Sequence, residues 1–240
     1  MTNQPSGRER NPVRAMQDGD QWIIERNGRP VRTPGDNALA VPTQRLALIL
    51  TREWEAQSEP IKPANMPLTR LCNSAIDCSP KTRQSVVNDV AAYGATDLLC
   101  YRASAPAELV RRQEAGWDPI FEWARKNLGV SLRSTTGILP ISQSRESLDR
   151  LKRMIASCNR FTLTGMAEIV TATGSVVLGL AYLHGKMPAE QIWKLSIIDE
   201  NWQLEKWGFD HEAATALATR KSSFLDGCRL MDAIVSRQLA

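Results

Sequence analysis

A chain of 240 residues with 42% hydrophobic and 23% charged residues buries a sizeable core, which excludes a disordered or fibrous protein. Its 30 basic and 26 acidic residues, net +4, are spread along the whole length without the Lys/Arg stripe that phosphate binding requires, so no nucleic-acid partner is expected. The longest apolar stretches, such as 46–50 and 176–183, fall far short of the ~20 residues of a spanning helix, so a soluble protein without membrane insertion is expected.

The start, Met1–Asp20, has no apolar run and carries Glu9, Asp18 and Asp20, so it reads as a loose polar segment and neither a secretory signal nor a convincing presequence. A bacterial cytoplasmic location is expected, or the mitochondrial matrix if the source is eukaryotic. From Val13 to Pro42 the turn pairs Asp18-Gly19, Asn27-Gly28 and Pro34-Gly35 separate short extended segments, among them 21–25 and 38–41. Asn-Gly between extended segments is a hairpin signal, because both residues tolerate the positive φ of a tight turn. Pro30 has no N–H for a ladder, which places its strand at an edge.

Thr43 caps a helix to about Gln57, with Leu46, Ile49, Leu50 and Trp54 on the face that covers the sheet. Pro60 and Pro63 then mark a linker. This divides the chain into an N-terminal α+β domain over 1–65 and a larger, mainly helical domain over 66–240.

Helical signals dominate from Leu68. Ser79-Pro80 opens a helix that Gly94 stops, Pro106 opens a second, and Asp118-Pro119 opens a third that Gly129 closes. A short β excursion is expected between Val130 and Ile141. Helices follow at roughly 144–158, 161–184, 188–207 and 210–237, the last opened by Asp210; Thr173-Gly174-Ser175 reads as a close-packing point inside one of them.

Five cysteines at irregular spacing, none as CxxC, read as buried thiols in a reducing compartment. His184 and His211 have no neighbouring Cys/Asp/Glu at ligand spacing, and no phosphate loop, GxGxxG or GxSxG is present. Asp199 and Glu200 are the one adjacent acidic pair that invites a catalytic reading, but neighbours on a helix point about 100° apart and do not converge on one substrate atom. No catalytic residue, metal or cofactor is therefore expected. A carboxylate-dependent hydrolase or transferase working in a cleft between two domains is the competing reading.

Residues 193–210 hold three of the seven tryptophans, Trp193, Trp202 and Trp207. In a continuous helix Trp193, Ile197, Glu200, Leu204 and Trp207 share one face, so Glu200 sits within an apolar stripe. Such a stripe is either a core face whose acid pairs internally or an acidic spot rimmed by tryptophan, a mixture enriched in binding hot spots.

Six separated strings carry a family resemblance: Gly28-Arg29-Pro30-Val31-Arg32-Thr33-Pro34, Glu53-Trp54-Glu55-Ala56-Gln57, Met66-Pro67-Leu68-Thr69 running to Ala75-Ile76-Asp77, Thr96-Asp97-Leu98-Leu99-Cys100-Tyr101-Arg102, Trp117-Asp118-Pro119, and Asp199-Glu200-Asn201-Trp202-Gln203 with Trp207-Gly208. In this order they resemble the ATP-twelve family of F-type ATP synthase assembly chaperones. The resemblance implies a non-enzymatic protein that binds the free α subunit of the catalytic head and prevents its aggregation before assembly; a monomer is expected when it is free. It implies an α+β fold: a small N-terminal strand-rich domain with a covering helix, then a larger helical domain. It also implies a functional acid in the helix at Asp199 or Glu200, with Glu200 the first choice, and Trp202, Gln203 and Trp207 as partner-binding neighbours.

Overall fold

The computed structural model describes residues 12–137, 139–208 and 211–234. The first part of the polar start, and Asp210 as a helix opener, lie outside the described residues. Two compact units divide the chain, Met1–Asp77 and Cys78–Ala240.

In the first unit, β1 (Val13–Asp18) and β2 (Gln21–Arg26) pair antiparallel from Val13↔Arg26 to Asp18↔Gln21. Asn27 (φ 54°) and Gly28 (φ 73°) then turn the chain into β3 (Arg29–Pro30), as the Asn-Gly pair requires. Both β3 and β4 (Ala40–Val41) add antiparallel to β2. Helix α1 (Gln44–Glu55) starts where the Thr43 hydroxyl accepts from the Leu46 amide at 3.2 Å, and buries Leu46, Ala47 and Leu50. Helix α2 (Pro67–Ile76) belongs to this unit: Glu53 of α1 accepts from the Leu68 and Thr69 amides at 2.9 and 2.8 Å, satisfying donors that a helix start leaves open.

The second unit is helical: α3 (Pro80–Ala92), α4 (Ala107–Trp123), α5 (Arg145–Ser157), α6 (Arg160–Thr173), α7 (Val176–Leu183), α8 (Ala189–Ser196), α9 (Ile198–Trp207) and α10 (His211–Ile234). Ser79 caps α3 as read from the sequence, its hydroxyl accepting from the Thr82 amide at 3.1 Å. The whole is an α+β protein, with a small strand-bearing part first and the helical part after it.

Four expectations are corrected. Asp118-Pro119 does not open a new helix; α4 runs through Pro119, which forgoes one backbone bond while Trp117 and Ile120 on either side are fully buried. A π-helical turn, Ala124–Leu128, then ends at Gly129 in the left-handed region (φ 62°). The β excursion shrinks to β6 (Thr135–Thr136), parallel to β5 (Tyr101–Arg102). The run 161–184 is two helices, because Gly174 adopts φ 68° and ends α6 before Ser175 caps α7.

The fourth correction bears on the site. The run 188–207 breaks at Ile197 (φ −121°, ψ 25°). Beside the break the Leu195 carbonyl accepts from the Trp117 indole N–H at 2.8 Å, a tertiary bond that fixes the end of α8 on α4. Gly116 lets α4 approach this closely: a Cβ there would lie 2.9 Å from both the Leu195 and Ile198 side chains.

The core joins Trp117, Tyr182 and Phe224. Helices α6 and α10 cross at paired glycines: a Cβ on Gly165 would lie 2.9 Å from the Gly227 carbonyl, and one on Gly227 2.8 Å from the Gly165 carbonyl. All five cysteines are free thiols; Cys72, Cys100, Cys158 and Cys228 are buried.

Candidate functional site

Because of the break at Ile197, the expected single stripe divides. Trp193 and Ile197 face the core, whereas Leu204 and Trp207 are 45% and 78% exposed. The two outward apolar side chains therefore sit together on the last turns of α9, followed by Gly208 at φ 88°, where the chain leaves the helix.

Helix α9 lies along the first half of α4, and Trp202 is its one buried side chain, 7% exposed. The Lys206 ammonium lies 4.3 Å from the Trp202 ring centroid, and the Arg112 guanidinium of α4 lies 5.2 Å from it. Arg112 bonds Glu108 and Glu205 at 2.7 and 2.8 Å, and Lys206 approaches Glu108 at 3.5 Å. Each exposed pair contributes little alone. Together they fix the register of α9 on α4 around one aromatic ring.

The two acids in the first turn of α9 have different surroundings. Glu200 is 40% exposed and bonds Arg220 of α10 at 2.7 Å, while Arg220 lies over the Trp193 ring at 5.4 Å. The first choice for the functional acid is thus half open and already partnered by a cation. Asp199 is half-buried; its Oδ1 accepts from the Gln113 amide of α4 at 2.7 Å, and among the described residues it is in no ion pair. Burial, with Glu200 beside it, raises the Asp199 carboxyl above the usual carboxylate range, and the Gln113 bond opposes that rise.

Gln113 is itself fixed. Its Oε1 accepts from the Ala103 amide at 2.8 Å, and its own carbonyl accepts from Arg102 at 3.3 Å. Arg102 also bonds the Leu99 carbonyl and Asp118, and stacks 5.0 Å from the Trp117 ring centroid. A chain of part-buried polar contacts thus runs from the end of β5 to Asp199. Nothing in the local pattern around Gln113 announces it, because its partner is 86 residues away.

A cleft of about 500 Å3 opens between the start of α4, at Ala105, Pro106 and Leu109, and the α9 face bearing Asp199, Trp202, Gln203, Lys206 and Trp207. Four of the five residues singled out from the sequence line it; Glu200 faces α10 instead. The residues that sequence reasoning missed are Lys206 of α9 and those at and before the start of α4, which complete the opposite wall.

The two histidines lie elsewhere: His184 caps the end of α7 with its ring 6.0 Å from Trp123, and His211 begins α10.

Known proteins share this arrangement of sequence and fold. The family model described as ATP12 chaperone protein matches residues 9–125. Protein atp12, mitochondrial, from the fission yeast Schizosaccharomyces pombe is 26% identical over 219 residues, covering 85% of this chain and 75% of that protein. The crystal structure of the Atu1473 protein of Agrobacterium tumefaciens superposes with a TM-score of 0.88 at 32% identity, over 95% of this chain and 85% of that one. The crystal structure of Atp12 from Paracoccus denitrificans superposes with a TM-score of 0.88 at 41% identity, over 93% of this chain and 96% of that one. With that identity across nearly the full length of both proteins, the chain belongs to the ATP12 family of chaperone proteins.

Proposed function

We propose that this chaperone binds the free α subunit of the F-type ATP synthase catalytic head, without catalysing a reaction, and shields its assembly surface until the β subunit takes its place. Family membership supports a chaperone of ATP synthase assembly; the choice of the α subunit rests on the resemblance in the six motifs. A subunit interface of a permanent complex is large and apolar, and before assembly it is an exposed patch that self-associates.

The observation that carries the reading is the exposed pair Leu204 and Trp207 on the same helix as the acids Asp199 and Glu200. Gln203 and the edge of Trp202 complete this face. Aromatic anchors bordered by charge give an interface that binds by burial and is tuned by electrostatics, so the client is held and then surrendered to a partner with more area to offer. No nucleotide is required, since exchange follows the greater stability of the final assembly. The protein acts where the α subunit folds, in the bacterial cytoplasm or the mitochondrial matrix.

Mixing α subunit freshly diluted from denaturant with this protein, followed by size-exclusion chromatography, tests the reading. A soluble complex that dissociates on addition of the β subunit is the expected result. An α subunit that precipitates equally with and without the chaperone contradicts it.

A further inference from the structure

The cleft between the start of α4 and α9 has a chemistry that specifies its occupant. We infer that it is a docking groove for an extended client segment carrying an apolar side chain and, three or four residues away, an arginine or lysine. This inference rests on the reading of the protein as an α-subunit chaperone and names the kind of segment that the same face takes.

The cationic requirement comes from the balance of charge. Lys206 and Arg112 are met by Glu108 and Glu205, and Glu200 is met by Arg220. Asp199 is the acid of this face that no cation meets among the described residues. It has one amide donor, on Oδ1, and lines the cleft. The other oxygen of this half-buried carboxylate has no protein donor among the described residues, so a charge-assisted bond from a client cation can be added there.

The apolar requirement comes from the other end. Trp207 is 78% exposed, and Leu109 and Pro106 form the facing wall. A large aromatic ring left open beside an aliphatic wall gains from burying an aliphatic or aromatic side chain.

The spacing follows from helix geometry. Asp199 and Trp207 are eight residues apart on α9, which places them about 12 Å apart along the axis. An extended chain covers that distance in three to four residues. Gln203 lies midway with its side chain exposed, and its amide both donates and accepts, as an extended backbone requires.

The test uses acetylated, amidated, fluorescein-labelled ten-residue peptides of glycine and serine carrying one leucine and, four residues on, arginine, glutamate or glutamine. Binding to the full-length protein is read by anisotropy. The arginine peptide is expected to bind about tenfold more tightly than the glutamate peptide, one rim-to-buried charge contact being of that order. Replacing its leucine with serine, or using the Trp207→Ala protein, weakens it at least about fivefold. Asp199→Asn, nearly isosteric, reduces the arginine preference below about threefold, and Asp199→Lys reverses it in favour of glutamate; circular dichroism melts confirm that both proteins fold. Equal binding of the three charge forms, or no binding of the arginine peptide at 1 mM on the order of a weak single-contact affinity, overturns the inference. The same preparations are mixed with the α subunit in parallel. A complex with the α subunit alongside unselective peptides removes the groove and leaves the proposed function; selective peptides without that complex do the reverse.

Discussion

The side-chain amide of Gln113, buried on α4, holds the carboxylate of Asp199 on α9 at 2.7 Å, and this bond ties the start of α9 to α4. Gln113→Leu removes it and leaves both the Ala103 amide and Asp199 short of a partner. An unsatisfied buried polar group costs about 1–3 kcal/mol, so thermal melting should shift downward by that amount while overall helicity at 25 °C is retained. An unchanged melting temperature contradicts the positioning role of Gln113.

Glu200 and Arg220 form a half-exposed pair, so their contribution to stability is small. Glu200→Lys places two cations face to face and is expected to cost about 1 kcal/mol; the double variant with Arg220→Glu recovers most of it. Chemical denaturation of the four proteins of this cycle measures the coupling. A loss well above about 3 kcal/mol marks the pair as a buried one and contradicts its placement at the surface.

Asp97 is fully buried, and burial raises its carboxyl from 3.8 to about 6, even though hydroxyl and backbone donors of Ser175, Val177, Leu99 and Val176 pull the other way. A raised carboxyl means that the folded state holds the proton more tightly than the unfolded chain. Its contribution is therefore fully present below 3.8 and is lost as pH rises through about 6. The stability gap between the native protein and Asp97→Asn should be larger at pH 5 than at pH 7.5, by about 1.4 kcal/mol. A gap that is constant or widens with rising pH refutes the assignment.

The glycine crossing of α6 and α10 admits no larger residue. Gly227→Val would drive its side chain into the Gly165 carbonyl and the Glu168 Cβ, each 2.8 Å from the first added carbon. Overpacking costs about 1–3 kcal/mol and more where backbone is the obstacle, so the variant should melt well below the native protein. Gly185→Ala meets no neighbouring atom and carries only the left-handed backbone penalty of about 1–2 kcal/mol. Equal melting temperatures for the two variants contradict the tight crossing.

What was legible in the sequence was local. Asn27-Gly28 fits its turn, Thr43 and Ser79 cap their helices, and Gly129 closes its own, because each signal and its consequence lie within four residues. The six motifs placed the chain in its family, and α9 with them. What was illegible depended on distant partners. The break at Ile197 lies beside a bond from the distant Trp117 indole, and Pro119 stays helical with its neighbours packed into the core. The separation of Asp199 from Glu200, one bonded to α4 and the other to α10, follows from the same tertiary contacts. Periodicity alone joined Trp193 to Trp207 on one face that the fold divides.

The most direct test of the account is light scattering by α subunit diluted from denaturant in the presence of the native protein or of the double variant Leu204→Ser, Trp207→Ser. Both side chains are outward-facing, so the variant should melt within about 0.5 kcal/mol of the native protein. The account predicts that the native protein suppresses scattering at equimolar ratio and that the variant, equally folded, does not. Equal suppression by both proteins contradicts the assignment of the α9 face as the surface that holds the client.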